Sequence, residues 1–364
     1  MPPIYLDCNA TTPLEPAARE TLLRFLTEEF GKQAVQKARD QVAAVVAAQR
    51  DEVIFTSGAT ESNNLALLGL RAAGVEQGKR HVITTAIEHK AVLEPCAALE
   101  TEGFEVTRLP VTAGGWVDPE AVRGAVRPDP WRVSIMQANK ETGVRQPLTA
   151  IAEVLKDHPA WFHTDAAQGF GKDLELLRHP RIDLISLSGH KLYAPKGIGA
   201  LIVRRRGYQR PPLRPLLYGG GQERGLRPGT LPVALIVALG LAAEIAVRDH
   251  TRRRQVCRCI RERAMAALMP LEPRLTGDQT QVMDHVLNLA FPGLDSEALM
   301  VGLKDLIAIS NGSACTSSSY TPSHVLQAMG LDDDRANGCV RISWCHLTPA
   351  VDWDAVATRI QNLR

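Results

Sequence analysis

Short, nearly unbroken apolar runs recur through the first 204 residues, at 53–56, 81–86, 105–110, 132–137, 161–164, 184–187 and 198–204. Between several of them, apolar residues fall three and four apart, as over 62–72 and 148–155. The first pattern suits strands buried on both faces, the second helices with one apolar side. Their alternation predicts an α/β fold with a mostly parallel sheet of seven strands. After Leu231 the texture changes. Residues 232–269 read as one long helix or a kinked pair. A strand at 286–291, a helix at 296–304, a small-residue loop at 310–319, a helix after Pro322 and a last helix at 349–362 follow. This second part predicts a smaller α+β domain. The expected division is 14–245 as the large domain, with 1–13 and 246–364 forming the small one. A chain of 364 residues has room for both.

Charge narrows the picture little. Forty-two basic and 40 acidic side chains leave a net charge of +2, so no acidic partner is implied overall. The runs Arg204–Arg206 and Arg252–Arg254 read as solvated faces rather than nucleic-acid sites. No stretch approaches the ~18 apolar residues of a membrane span. The N-terminus lacks the basic-then-apolar pattern of a signal peptide, so a cytoplasmic protein is expected. Seven scattered cysteines, an odd number, argue against a disulfide framework. Cys257 and Cys259 diverge on a helical pattern, and no metal site is expected.

Candidate chemistry gathers where strands end. Lys191 closes Ser186-Leu187-Ser188-Gly189-His190-Lys191, directly after an apolar run. A lysine there projects into the crevice where α/β sheets bind ligands, and desolvation would make it a nucleophile. Taken alone, it reads more readily as a surface lysine at a turn before Pro195. Asp165 ends the run before it, where it could keep a pyridine nitrogen protonated or cap a helix. Phe55-Thr56-Ser57-Gly58-Ala59-Thr60 is a strand, a small-residue turn and a helix start, which suits an anion. His89 again follows a strand and opens a helix.

These residues resemble the cysteine desulfurases, class V aminotransferase-like members of the fold-type I pyridoxal-phosphate enzymes. Leu6–Pro13, Thr56–Asn64, Thr164–Gln168, Ser188–Gly199, Gly219–Leu231 and Asn311–Ser317 carry the likeness, in order, over nearly the whole chain. The resemblance implies pyridoxal 5'-phosphate anchored on Lys191. Asp165 would face the ring nitrogen and Gln168 the ring oxygen, with His89 over the ring. Ala59, Thr60, Ser188 and His190 would hold the phosphate. Thr230 would reach the phosphate of a partner subunit in a homodimer, and Arg341 would clamp the carboxylate of L-cysteine. Cys315, in the small-residue loop, would take the sulfur as a persulfide and pass it to an acceptor protein. The stretches Tyr320–Gly330 and Arg341–Trp344 look most like the desulfurases of DNA phosphorothioation systems. That pathway implies no membrane and no direct contact of this chain with nucleic acid.

Two departures stand out. Relatives carry a glycine, asparagine, proline, two serines and a histidine after the first helix. Here Glu29-Phe30-Gly31 runs straight into Lys32-Gln33-Ala34, which predicts two helices meeting at one glycine. In Ala138-Asn139-Lys140-Glu141, lysine stands where many relatives have a second asparagine that contacts cofactor or substrate. Rival readings are sulfur supply for iron–sulfur clusters or tRNA thiolation, a selenocysteine lyase-like enzyme, and an inactive scaffold for a sulfur-handling partner.

Overall fold

A computed structural model describes residues 2–31, 33–127, 130–312 and 323–364. After β1 (Ile4–Tyr5), seven strands form one sheet: β2 (Val53–Thr56), β3 (His81–Thr85), β4 (Glu105–Leu109), β5 (Pro130–Ser134), β6 (Trp161–Asp165), β7 (Leu184–Ser188) and β8 (Gly199–Val203). Their order is β2-β8-β7-β6-β5-β3-β4. β8 alone runs against the rest, antiparallel to both β2 and β7. The sheet is therefore the expected mostly parallel one of seven strands. Its centre is dry: every residue of β2, β3, β6, β7 and β8 is buried. Adjacent residues enter different cores. Phe55 joins Phe162, Ile185 and the helix Val233–Arg248, whereas Ile54 joins Leu201 and Leu65 of the helix Ala59–Leu68. Helices thus cover both faces, which is why the strands read as continuous apolar runs rather than alternating ones.

A smaller antiparallel sheet places β10 (Val286–Ala290) between β9 (Arg274–Leu275) and β12 (Cys339–Ser343). The N-terminal β1 crosses over to pair with β11 (Ile307–Ala308). Leu6 consequently packs with Leu287, Ile342, Trp344 and Trp353 in a separate core. The segment 232–269 is a kinked pair, Val233–Arg248 and His250–Leu268, broken at Asp249.

Two expectations are corrected. The first helices do not meet at Gly31. Helix Pro16–Thr27 ends where the Glu28 and Glu29 amides both turn back to the Arg24 carbonyl. Residues 28–31 are non-helical before helix Gln33–Val45, so a connection of ordinary length exists. The arginine runs are not simply solvated either. Arg204 is 6% exposed and donates to the carbonyls of Leu177, His179, Ile182 and Val46. Arg206 stacks on Trp161 and pairs with buried Asp183. Arg253 is buried against Tyr193. A guanidinium's planar fork of five donors explains this use, because it can satisfy several buried carbonyls at once. Among the described residues, no helix is long and apolar enough to cross a membrane.

Candidate active site

Because β8 is the one reversed strand, the C-terminal ends of β2, β3, β5, β6 and β7 lie along one edge of the sheet. Ligands bind at that edge in open α/β folds. A cavity of about 670 Å³ opens there. Ala59, Thr60, His89, Asp165, Gln168, Ser188, His190 and Lys191 all line it.

Asp165 is the last residue of β6 and is 7% exposed. Its Oδ2 accepts from Asn63 Nδ2 at 2.7 Å and its Oδ1 from the Ala167 amide at 2.9 Å. The following residues form a turn rather than the helix an aspartate cap would open. Lys191 lies just past β7, and its Nζ donates to the Asn9 carbonyl at 3.0 Å. Burial, reinforced by Lys172, Arg341 and Lys140, pushes its amine down to about 8, against the pull of Asp165. Gln168 donates to the same Asn9 carbonyl, and its buried Oε1 has no partner among the described residues.

At the other end, helix Ala59–Leu68 begins after Gly58 with no side-chain cap. Its first amides therefore face the cavity without an internal acceptor. The strand pairing makes this turn tight: a Cβ at Gly199 would lie 2.6 Å from Gly58 Cα. Burial and the neighbouring Lys191 and Lys196 push His190 down to about 4, so its ring is neutral. Its Nδ1 lies 3.1 Å from Thr11 Oγ1. His89 caps helix Lys90–Thr101 through Nδ1, and burial lowers its pKa too.

Two other predicted residues, Arg341 and Thr230, stand apart from this lining. Arg341, on β12, is 2% exposed. It bonds Asp7 Oδ1 at 2.5 Å, Ser310 Oγ at 3.0 Å and the Lys140 carbonyl at 3.1 Å, so it sits directly behind a lining residue. Thr230 is exposed and does not line the cavity. Cys315 lies outside the described residues. Of the ambiguous pair, Lys140 lines the cavity. Asn139 instead braces its own turn, bonding the Ile87 carbonyl and the amides of Glu141 and Thr142. Roles for Asn9 and Asn63 went unread in the sequence. The only signal for Asn63 was its place one helical turn beyond Ala59 and Thr60.

A family model for class-V aminotransferases matches residues 4–356. The chain belongs to the class-V aminotransferase family. Within it, the chain groups with the cysteine desulfurases. It is 44% identical to the cysteine desulfurase IscS of Methylococcus capsulatus, over 99% of this chain and 92% of the relative. The crystal structure of DndA from Streptomyces lividans superposes with a TM-score of 0.83 at 45% identity, covering 94% of this chain and 98% of that one. SspA in complex with cysteine superposes at 0.82 and 36% identity, covering 95% and 100%. This desulfurase thus shares its fold with these relatives over nearly its full length.

Proposed function

We propose that this desulfurase removes the sulfur of L-cysteine with pyridoxal 5'-phosphate, leaving L-alanine and a persulfide on Cys315. The observation that carries the reading is the placement of a depressed-pKa lysine and a buried carboxylate at neighbouring strand ends in one cavity. The residues present fit the cofactor. Asp165 has the position to hold a ring N–H, Gln168 Oε1 awaits a donor or water, and the uncapped helix start with Ser188 and neutral His190 suits a phosphate. Bound there, the cofactor supplies an electron sink for the carbanion at the substrate Cα.

Lys191 would anchor the bound cofactor and would serve as base for the α proton of the substrate, a task suited to an amine poised near 8. Arg341 holds the substrate carboxylate through a planar fork already oriented by Asp7 and Ser310. Neutral His89 moves a proton at the substrate thiol. The Cys315 thiolate then forms an S–S bond as the substrate C–S bond breaks, and protonation of the remaining fragment gives L-alanine. Thr230, exposed on its own subunit, completes the phosphate site of a partner in a homodimer.

The persulfide passes to an acceptor protein, in the reading we favour within a DNA phosphorothioation system. The likeness of Tyr320–Gly330 to such desulfurases supports this, beside the similarity to DndA. Mass spectrometry after exposure to L-cysteine should find one added sulfur on the peptide carrying Cys315. Cys315→Ser should still bind cofactor and cysteine yet release no sulfide when a thiol reductant is added. Full sulfide release from that variant would refute the persulfide role.

A further inference from the structure

A second cavity, of about 50 Å³, lies between the loops that follow β6 and β7, the segment 282–285 and helix His250–Leu268. That volume holds roughly four water-sized atoms. Its lining is cationic: Arg145, Lys172, Arg253 and Arg254 against Asp173 and Asp284. The acids are already engaged. Asp173 pairs with Arg145, and Asp284 with Arg254 and Arg258. Glu15, nearby, pairs with Arg253 through Nη2 and contacts His346.

What remains is a set of buried polar nitrogens without partners among the described residues, those of Lys172 and Arg253 being donors. Lys172 Nζ, Arg253 Nε and Nη1, and His285 Nε2 are shielded from solvent and have no hydrogen-bond partner among the described residues. Arg253 is 6% exposed and His285 5%. Both cations flank one ring, Lys172 Nζ 6.0 Å and the Arg253 guanidinium 5.2 Å from the centre of Tyr193. A ring face attracts cations, but it accepts no strong hydrogen bond in place of those the donors lack. Buried donors and charges left in this condition are strongly unfavourable, and an anion would satisfy several together.

We propose that this cavity binds a small tetrahedral oxyanion of the sulfate or thiosulfate kind. Lys172 supplies the charge, and Arg253 and His285 supply directed N–H donors. Arg145 and Arg254, partly exposed and paired with Asp173 and Asp284, line its solvent side. The site is separate from the catalytic one and does not depend on the desulfurase reading.

Titration calorimetry of the cofactor-loaded enzyme with sodium sulfate, and separately with sodium thiosulfate, tests it. Cofactor loading fills the phosphate cradle, and a parallel titration of Arg341→Gln removes the substrate clamp as an anion site. One saturable site per chain is expected in both backgrounds, and the stronger of the two anions identifies the class. Lys172→Met should weaken it by at least about tenfold. Arg145→Gln, on the partly exposed solvent side, should weaken it severalfold and decides the matter should Lys172→Met fail to fold. Absence of saturable binding, binding unchanged in both solvent-side and core variants, or binding lost in Arg341→Gln alone would overturn the proposal.

Discussion

Two lysines, one following β6 and one following β7, meet opposite electrostatic fates. Lys191 faces Asp165 across the cavity and donates to the Asn9 carbonyl. Among the described residues, Lys172 has no acceptor and no carboxylate as an electrostatic neighbour; the groups that favour its charged form are the thiols of Cys8, Cys345 and Cys257. Burial lowers both amines. Desolvation alone therefore does not make a catalytic lysine. What distinguishes Lys191 is an opposing carboxylate within a cavity large enough for a cofactor.

The sharpest way to break this contrast is to exchange the two losses. Lys191→Ala should lower alanine formation from L-cysteine by about 10³-fold or more, because anchor and base vanish together. Thermal unfolding should barely move. Asp165→Asn keeps the shape and the bond from Asn63 but removes the charge. A loss of about 10²-fold in kcat is expected, read in the same assay. An unchanged rate would mean that the carboxylate only braces its turn.

Cofactor loading of the apoenzyme tests the lowered basicity of Lys191. Only the neutral amine attacks an aldehyde, so the loading rate should rise with pH and level off above about 8. Below that, it should fall about tenfold per pH unit, as the neutral fraction does. A flat profile between pH 6 and 9 would contradict a lysine held near 8. The smallest effect belongs to Lys172→Met. In buffer free of oxyanions, replacing an unpaired buried ammonium by an apolar group should leave stability unchanged or raise it by about 1 kcal/mol, read from denaturant midpoints. Its kcat should stay within a factor of a few of the parent.

The strands were legible because both faces of the sheet are covered, so Val53–Thr56 and its neighbour Gly199–Val203 are apolar nearly throughout. Asp165 and Lys191 were legible as polar residues ending such runs. Asn9 and Asn63 were not, since each meets its partner across more than 100 residues of chain, a separation that local spacing cannot reveal. Arg204 and Arg253 misled for the opposite reason. Basic triplets look solvated, and only the packed structure shows that the members aimed inward serve buried carbonyls and an aromatic ring. The helix stop near Thr27 was hidden because Glu28 and Glu29 continue a helical pattern that the backbone abandons.

The reversed strand β8 has a consequence for how the molecule comes to be. β2 bonds to no strand but β8, which is synthesised some 140 residues later. Until then the turn at Ser57–Thr60 hangs from an unpartnered ribbon, and closing so long a loop is slow. On the proposed function, the nascent chain would gain its phosphate cradle only when the last strand of the sheet slides in between β2 and β7. Arrival of vitamin B6 would then report completion of the large sheet, not of its first half.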